Sequence, residues 1–439
     1  MRQAISRCGV APRGGRARCW QQCCVRSGRV PALARLVVAM MACGLGFAVG
    51  LAGCRGGVAA HPARIHDAYV WQRRWTQAVV AAVGAASPFV RAWHVLAASV
   101  DQRGRLAPVG VDLTTLRDTG KPVMLVVRIN GQLSAWDQAA VIQRTLVLVR
   151  DWKRSGVAVI GLEIDHDCAT AGLDRYAAFL RELRTVANGL FSTVAITVLP
   201  TWIGHPDLSR LLAGADEAVL QVHSVSSPKQ GLFDAKQARA WVAAFARESP
   251  IPFRVALPTY GARLALDAVD RVIAVESEAP LGFEGGHTVE IEADPREVAM
   301  LLNGWRRQPP PGLVGIAWFR LPTAADHRAW SFATWRAVAE GRELAARIEA
   351  RAVPADSAGL FDVVVDNVGE IDAPLPHTLQ VLGDTSCAAA DALRDYHVTL
   401  DATGALFRLS APKTLRAHRR RLIGWVRCAQ QEVHVRAYP

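Results

Sequence analysis

Short apolar runs alternate with amphipathic stretches along most of this chain, from Tyr69 to about Gly341. The runs are rich in β-branched and aliphatic residues, as strands are, and most are separated by stretches whose apolar residues recur at the spacing of a helix face. Strands that alternate with helices are typical of a parallel sheet. The eight runs lie at 68–72, 89–97, 122–130, 157–165, 192–200, 217–225, 252–260 and 313–321.

Eight strands over roughly 270 residues favour a closed (β/α)₈ barrel over an open sheet, and we assign residues 67–343 to it. The clearest predicted helices lie at 135–156, 173–189 and 235–250. The segment 266–294 mixes alternating polar and apolar residues with glycines, which predicts an extra hairpin or loop over the carboxyl-terminal face. Further on, short apolar runs separated by turn residues predict a small all-β, sandwich-like domain at 354–439.

The first 53 residues differ from the rest of the chain. They hold eight arginines and no acidic residue, and an apolar run at 36–53 leads into Cys54. This order of basic, apolar and small residues is that of a secretory signal. The sequence LAGC (51–54) resembles the bacterial lipobox, which implies cleavage before Cys54 and a lipid on its thiol. We therefore expect a lipid-anchored envelope protein with a linker at 54–66; a plain signal peptide and an uncleaved anchor are the alternatives.

Most of the net positive charge and most of the cysteines lie in these first residues. This leader carries eight of the twelve net positive charges, so the remainder of the chain is only mildly basic. No basic patch interleaved with aromatic residues is present, which argues against a nucleic-acid partner. Six of the nine cysteines lie at or before position 54. Cys387 and Cys428 share one small region of an exported chain, and we predict that they form a disulfide.

The fourth apolar run carries the strongest chemical signal. Glu163, Asp165 and Asp167 recur with the two-residue period of a strand, so the three carboxylates share one face, while Leu162 and Ile164 lie on the other. Active sites of such barrels lie at the carboxyl ends of the strands. Mutual repulsion and partial burial raise the pKa of at least one of these acids, and a carboxylic acid protonated near neutral pH can serve as the general acid that glycosidic cleavage requires.

The motif GLEIDHD (161–167) resembles the fourth-strand motif of glycoside hydrolase family 18, in which the last acid protonates the leaving oxygen. The resemblance implies that Asp167 is the general acid, that Asp165 supports it and that Glu163 replaces a carboxylate deeper in the strand. This chain has the shorter aspartate where the family has glutamate. It also implies that the acetamido group of an N-acetylated sugar assists the reaction. LPTYG (257–261) is similar to the family's seventh-strand motif, and Trp318 to its sugar-stacking tryptophan.

A second resemblance covers nearly all of the mature chain. The series YVWQRRW, EIDHDC, VLPTW, QVHSV, LPTYG, GIAWFRLP and IGWVRC resembles the bacterial family known as domain of unknown function 3142. It implies a barrel lipoprotein and brings no established activity with it. Function must therefore be argued from the residues of the site.

The ends of the other strands supply residues that we expect around the acids. Arg73 lies just after the end of the first apolar run. Aromatic faces stack on sugar rings, and amides and guanidinium groups bind hydroxyls, so the inventory suits a carbohydrate. The predicted substrate-binding residues are Trp71, Arg128, Asn130, Trp202, Gln221, His223, Tyr260, Trp318 and Arg320.

These observations lead to the hypothesis of a cell-envelope glycoside hydrolase acting on an envelope or extracellular glycan, without a cofactor or a metal ion. The main alternative is a carbohydrate-binding or scaffold lipoprotein that has lost the reaction. Three further alternatives are acids that merely pair with Arg128, a metal site formed by Asp165, Asp167 and His223, and nucleophilic chemistry at Cys168.

Overall fold

Eight parallel strands close into a barrel in the computed structural model, which describes residues 66–131, 133, 136–223, 231–276, 287–382, 387–401, 404–429 and 432–439. The strands of this part of the chain are β1 (His66–Val70), β2 (Trp93–Val100), β3 (Leu106–Pro108), β4 (Val123–Ile129), β5 (Val159–His166), β6 (Thr193–Val198), β7 (Glu217–Gln221), β8 (Phe253–Pro258), β9 (Gly261–Leu266), β10 (Val272–Glu276), β11 (His287–Glu292) and β12 (Leu313–Phe319).

The barrel order is β1, β2, β4, β5, β6, β7, β8 and β12, and the pairing of β12 with β1 closes it. All eight predicted runs overlap these strands, so the predicted (β/α)₈ fold class is confirmed. The strand β3 pairs antiparallel with β2. The predicted insertion between the seventh and eighth runs forms an antiparallel sheet with the order β10-β9-β11.

Helices surround the barrel. Aspartate side chains accept the first free N–H groups of several of them, at Asp112, Asp137, Asp234 and Asp294. The helices are α1 (Gln77–Ala86), α2 (Leu113–Asp118), α3 (Gln138–Arg154), α4 (Leu173–Ala187), α5 (Asp207–Leu212), α6 (Ala235–Glu248), α7 (Pro295–Arg307) and α8 (Phe332–Glu340).

The alternation along β5 positions the acids. Leu162 and Ile164 are buried in the apolar layer between strands and helices. Glu163 and Asp165 therefore point into the barrel, where they are also buried. A separate apolar cluster inside the barrel, which includes Tyr69, packs around them. One face of β5 thus packs against the helices, and its other face carries polar side chains into the barrel.

The C-terminal domain contains two four-stranded antiparallel sheets, ordered β13-β14-β21-β17 and β18-β19-β16-β22, and a short pair β15-β20. Its strands are β13 (Ile348–Pro354), β14 (Leu360–Asn367), β15 (Ala373–Pro374), β16 (Thr378–Leu382), β17 (Cys387–Ala392), β18 (Tyr396–Asp401), β19 (Gly404–Leu409), β20 (Thr414–Leu415), β21 (Arg420–Cys428) and β22 (His434–Tyr438). Cys387 and Cys428, the pair that the sequence predicts, form a disulfide between β17 and β21.

This domain begins earlier than the predicted boundary at 354. The segment 348–354 is strand β13, which pairs with β14 along its whole length. Ile348, Ala350 and Ala352 pack against the core of the domain at the two-residue period of a strand. Its alanine and charged residues favour helix locally, and the pairing with β14 decides the conformation.

Side chains of the β domain also hold the last barrel segment. Arg416 donates to the carbonyl oxygens of Ala329 and Asp326 at 2.8 and 2.6 Å. Asp372 accepts from the backbone N–H of Ser331, which is the N-cap of α8. The loop after β12 is therefore bonded to both domains.

The predicted leader and the lipidation site at Cys54 lie outside the described residues. Among the helices that the structure does describe, none is both long and apolar enough to cross a membrane.

Candidate active site

Asp165 lies near the carboxyl end of β5 and is almost completely buried. Thr197 Oγ1 on β6 and Gln221 Nε2 on β7 donate to its Oδ1 at 2.8 and 3.1 Å. Arg128 on β4 donates from a terminal guanidinium nitrogen to Oδ2 at 2.9 Å. Side chains from three other strands therefore hold both oxygens of this carboxyl.

Burial raises the pKa of Asp165 to about 7, and the negative charge of Asp167 acts in the same direction. The Arg128 guanidinium and the Thr197 hydrogen bond oppose this shift without cancelling it. Asp165 therefore keeps its proton to a much higher pH than an exposed aspartate does. The sequence prediction of an acid protonated near neutrality fits this residue.

Asp167 follows the end of β5 and is 31% exposed at its side chain. The second terminal nitrogen of Arg128 donates to its Oδ2 at 3.0 Å, so one guanidinium bridges the two carboxyls. Its Oδ1 is buried and has no hydrogen-bond partner. A buried carboxylate oxygen without a partner is costly, and it is a natural position for the donor of a ligand.

Gly131 sets the position of the Asp167 backbone. A Cβ built on Gly131 would lie 1.7 Å from the carbonyl oxygen of Asp167. The loop after β4 can therefore lie against the end of β5 only because residue 131 has no side chain.

Glu163 lies one layer deeper in the barrel and is completely buried. Tyr69 Oη donates to its Oε1 at 2.6 Å, and His94 Nδ1 lies 2.6 Å from its Oε2. Both oxygens thus have a partner, and Glu163 is too deeply buried to contact a ligand at the mouth. The structure therefore does not support its placement among the catalytic residues.

This deeper layer is an ionic network. His94 Nε2 and Arg254 Nε lie 3.3 and 3.1 Å from the same oxygen of Asp67. Burial acts to lower the pKa of His94, but the charges and hydrogen bonds of Glu163 and Asp67 outweigh it and raise that pKa to about 9. Burial acts to raise the pKa of Asp67, but His94, Arg91 and Arg254 outweigh it and lower that pKa to about 2.

Aromatic side chains line the mouth above the acids. The Phe319 ring contacts Trp71 edge to face at 5.1 Å between centroids, stacks on His223 at 4.8 Å and meets Tyr260 at 5.6 Å. The Arg128 guanidinium lies 5.8 Å from the Trp71 ring centroid, which connects this aromatic group to the acid pair. The carboxyl ends of β1, β4, β7, β8 and β12 thus meet at one site.

His223 is the polar member of this aromatic group. Burial lowers its pKa to about 4, so the imidazole is neutral at physiological pH. Its Nδ1 lies 3.4 Å from Tyr260 Oη, and its Nε2 is buried without a hydrogen-bond partner. The ring therefore offers one open nitrogen beside the mouth.

Two predicted sugar platforms lie elsewhere. Trp318 is fully buried among the helices, and its indole N–H donates to His66 Nδ1 at 3.1 Å. Trp202 is also fully buried and donates to the carbonyl oxygen of Cys168 at 3.2 Å. On β12 the inward residue is Phe319, since a shift of one residue along a strand exchanges its faces. Neither tryptophan is available to stack on a ligand.

The remaining predicted residues divide between the mouth and its surroundings. Asn130 lines a cleft at the end of β4 together with Arg128. Arg320 is buried, pairs with Asp326 at 2.5 Å and lies over the Tyr260 ring, so it supports the mouth from behind.

The structure disfavours nucleophilic chemistry at Cys168. Burial raises the pKa of the Cys168 thiol to about 11, which disfavours a thiolate nucleophile. Across the ranges that the structure describes, no cluster of three or more His, Cys, Asp or Glu side chains is arranged to hold a metal ion.

Sequence reasoning missed Tyr69, His94, Thr197 and Phe319. Two of them carried a usable signal: Tyr69 lies two residues after Asp67 on β1, and Phe319 two residues after Ala317 on β12, so each shares the inward face of its strand. Nothing in the local sequence indicates that His94 and Glu163 meet, because 69 residues separate them.

Fold and site together define a (β/α)₈-barrel protein with paired carboxyls at the carboxyl end of its fourth barrel strand, β5. Residues 119–324 match the family described as Domain of unknown function (DUF3142), and residues 350–429 match the one described as Domain of unknown function (DUF8456). The match over residues 119–324 agrees with the resemblance that the motifs indicated. No protein with a curated description matches the chain.

Similar solved structures include three enzymes. A chitinase from Chromobacterium violaceum ATCC 12472 shares 14% identity at a TM-score of 0.45, over 64% of this chain and 98% of its own. The spore cortex-lytic enzyme SleL of Bacillus cereus shares 14% identity at a TM-score of 0.46, over 64% of this chain and 74% of its own. A chitinase from Bacteroides thetaiotaomicron shares 12% identity at a TM-score of 0.43, over 59% of this chain and 89% of its own. At such scores the likeness says nothing about activity.

Proposed function

We propose that this protein is a cell-envelope glycoside hydrolase that uses a carboxyl general acid. The observation that carries the proposal is the pair of Asp165, whose pKa is about 7, and Asp167, which share Arg128 at the mouth of the barrel. Asp167 is the proposed acid because its Oδ1 has no partner and its side chain is partly exposed. Asp165 is proposed to orient Asp167 or to stabilise positive charge at the anomeric carbon.

The proton balance suits this assignment. The raised pKa of Asp165 means that the pair can hold one proton near neutral pH, and Asp167 is proposed to deliver that proton to the leaving oxygen. A further nucleophile is still needed at the anomeric carbon. The motif resemblance makes it the acetamido oxygen of the substrate, and N-acetylated glycans are therefore the proposed substrates.

The mouth supplies the binding surface. Trp71 and Tyr260 each contact Phe319, all three aromatic residues are partly exposed, and such faces stack on sugar rings. Gln221 and the open Nε2 of His223 are proposed to bind hydroxyl or amide groups of the glycan.

The location rests on the leader. The order of basic, apolar and small residues before Cys54 supports an exported protein held at the membrane by a lipid on that residue. Residues 54–66 would then connect the anchor to the barrel. An envelope glycan would be within reach of such a protein.

One observation favours a second candidate, a carbohydrate-binding lipoprotein without turnover. Aspartate at 167 is one methylene shorter than the glutamate of the resembling family, which places its oxygens further from a bound sugar. Under this alternative, Asp167→Glu would create turnover that the unmodified protein lacks.

The test is incubation of the purified protein with defined glycans, with and without N-acetyl groups, followed by measurement of new reducing ends between pH 4 and 9. We expect cleavage of an N-acetylated glycan. The rate should fall as pH rises through about 7, because Asp165 then loses its proton. Binding without cleavage across the set would contradict the proposal.

Gly131→Ala is expected to lower kcat by about 10²-fold, since the new methyl group would displace the Asp167 backbone and misalign the acid. The measurement is kcat on the best glycan, with Tm as a check of folding. Gly110→Ala is the matched control, because a Cβ there meets nothing within 4 Å. Equal activities of the two variants would show that the close approach at 131 does not position Asp167.

A further inference from the structure

A cleft of about 480 Å³ lies at the carboxyl ends of β2 and β4. Its polar lining includes Arg73, Ser99, Asp101, Arg103, Arg128 and Asn130. Arg128 belongs to both the cleft and the acid pair, so a ligand group in this cleft would lie next to the proposed reaction centre.

The charges of this cleft are unbalanced. Asp101 is its single acidic lining residue, and Arg105 occupies Oδ2 of that carboxylate with two nitrogens at 3.2 and 3.0 Å. Its other oxygen, Oδ1, accepts the backbone N–H groups of Arg103 and Arg105 at 2.9 Å. Arg128 is likewise neutralised by the acid pair. Arg105 thus compensates Asp101, and the acid pair takes up the positive charge of Arg128.

Arg73 and Arg103 are the other two positively charged residues that line the cleft. Both are exposed, and within the described ranges neither forms an ion pair with a carboxylate. Arg73 donates to the Ser99 hydroxyl at 3.3 Å, which directs its guanidinium toward the end of β2. Two uncompensated positive charges therefore border the same concavity. Solvated arginines are common on protein surfaces, but here they flank a cleft that also holds a residue of the candidate site.

We propose that this cleft binds an anionic group of the glycan, the carboxylate of an acidic sugar, in a unit next to the cleaved bond. The proposal rests on the proposed function and specifies its substrate class. Guanidinium groups match a carboxylate with paired N–H donors, and Ser99 and Asn130 can bind neighbouring hydroxyls. A sulfate or phosphate ester presents the same chemistry of anionic oxygens, so the test must separate these sources.

The test measures affinity by calorimetry for oligosaccharides of equal length that are neutral, carboxylate-bearing or sulfated. It uses the full-length protein carrying Asp167→Asn, so that no ligand is consumed. We expect about tenfold tighter binding of the carboxylate-bearing glycan than of the neutral one at low salt, and a smaller preference at high salt. The sulfated glycan should bind less tightly, because the planar fork favours a carboxylate.

The double substitution Arg73→Met and Arg103→Met should remove this preference, and the corresponding lysine substitutions should retain part of it. Arg150→Met on the outer helix α3 is the control for the loss of one exposed positive charge. Equal affinity for neutral and acidic glycans, no measurable binding of acidic ones, or equal effects of the cleft and control substitutions would overturn the proposal. Tightest binding of the sulfated glycan would also overturn the carboxylate assignment, and the cleft would then be a site for a sulfate ester.

The two proposals fail separately. If the unmodified protein binds acidic glycans with this preference and cleaves none, the hydrolase proposal fails and the subsite stands. If it cleaves neutral and acidic glycans at equal kcat/KM with equal affinity, the subsite fails and the hydrolase stands.

Discussion

Asp167→Asn is expected to lower kcat by about 10²–10⁴-fold while leaving glycan affinity nearly unchanged. Asparagine has the size of aspartate and can still accept a hydrogen bond from Arg128, so the site should keep its shape. It cannot give a proton to a leaving oxygen. The loss should therefore appear in kcat rather than in KM.

The measurement is the rate of new reducing ends on the best glycan, with binding measured separately by calorimetry. Asp151→Asn is the matched control, since Asp151 lies on the outer helix α3 with its side chain half-exposed and forms an ion pair with Arg154. Unchanged turnover of Asp167→Asn would eliminate Asp167 as the acid. Loss of binding together with turnover would indicate a structural role instead.

Asp67→Ala is expected to lower the free energy of unfolding by about 3–5 kcal/mol, because it removes the carboxylate that His94, Arg91 and Arg254 share and leaves His94 and Arg254 buried with one partner fewer. Asp67 is completely buried and accepts two hydrogen bonds from Arg91, at 2.9 and 2.5 Å. Arg254, which is 5% exposed, and His94 lie against the same carboxylate. Neither can reach bulk water when Asp67 is removed.

Urea denaturation at pH 7 measures this loss. Asp151→Ala is the control, because an exposed ion pair contributes only about 0–1 kcal/mol. Equal changes in the two variants would show that the network is neutral for stability.

The pH dependence of stability provides an independent measure of the same network. The pKa of Asp67 is lowered, so its contribution is present above about pH 4 and is lost as pH falls toward 2. The pKa of His94 is raised, so its contribution is complete below about 6.5 and is lost as pH rises through 9. Asp165 acts in the opposite sense to Asp67: its pKa is raised, so it costs stability increasingly as pH rises from about 4 to 7. In Asp67→Ala the acidic loss due to Asp67 should be absent.

The site shows where sequence reasoning reached and where it stopped. The two-residue period of a strand was sufficient to place Glu163 and Asp165 on one face, and Leu162 and Ile164 on the other, as the structure has them. On β12 the family resemblance indicated Trp318, but this residue lies in the apolar layer between strands and helices, and Phe319 points inward. Periodicity tells which residues share a face; it does not tell which face points inward.

The sequence by itself determined the eight strands, the helices between them, the following all-β domain and the shared face of the acids, because these follow from local periodicity and turn chemistry. Only the tertiary structure decided that Tyr69 and His94 are the hydrogen-bond partners of Glu163, and that Arg128 bridges Asp165 and Asp167. It also decided that Phe319 rather than Trp318 lines the mouth. These contacts join residues far apart in the chain. They depend on the closure and stagger of the barrel, which no short segment encodes.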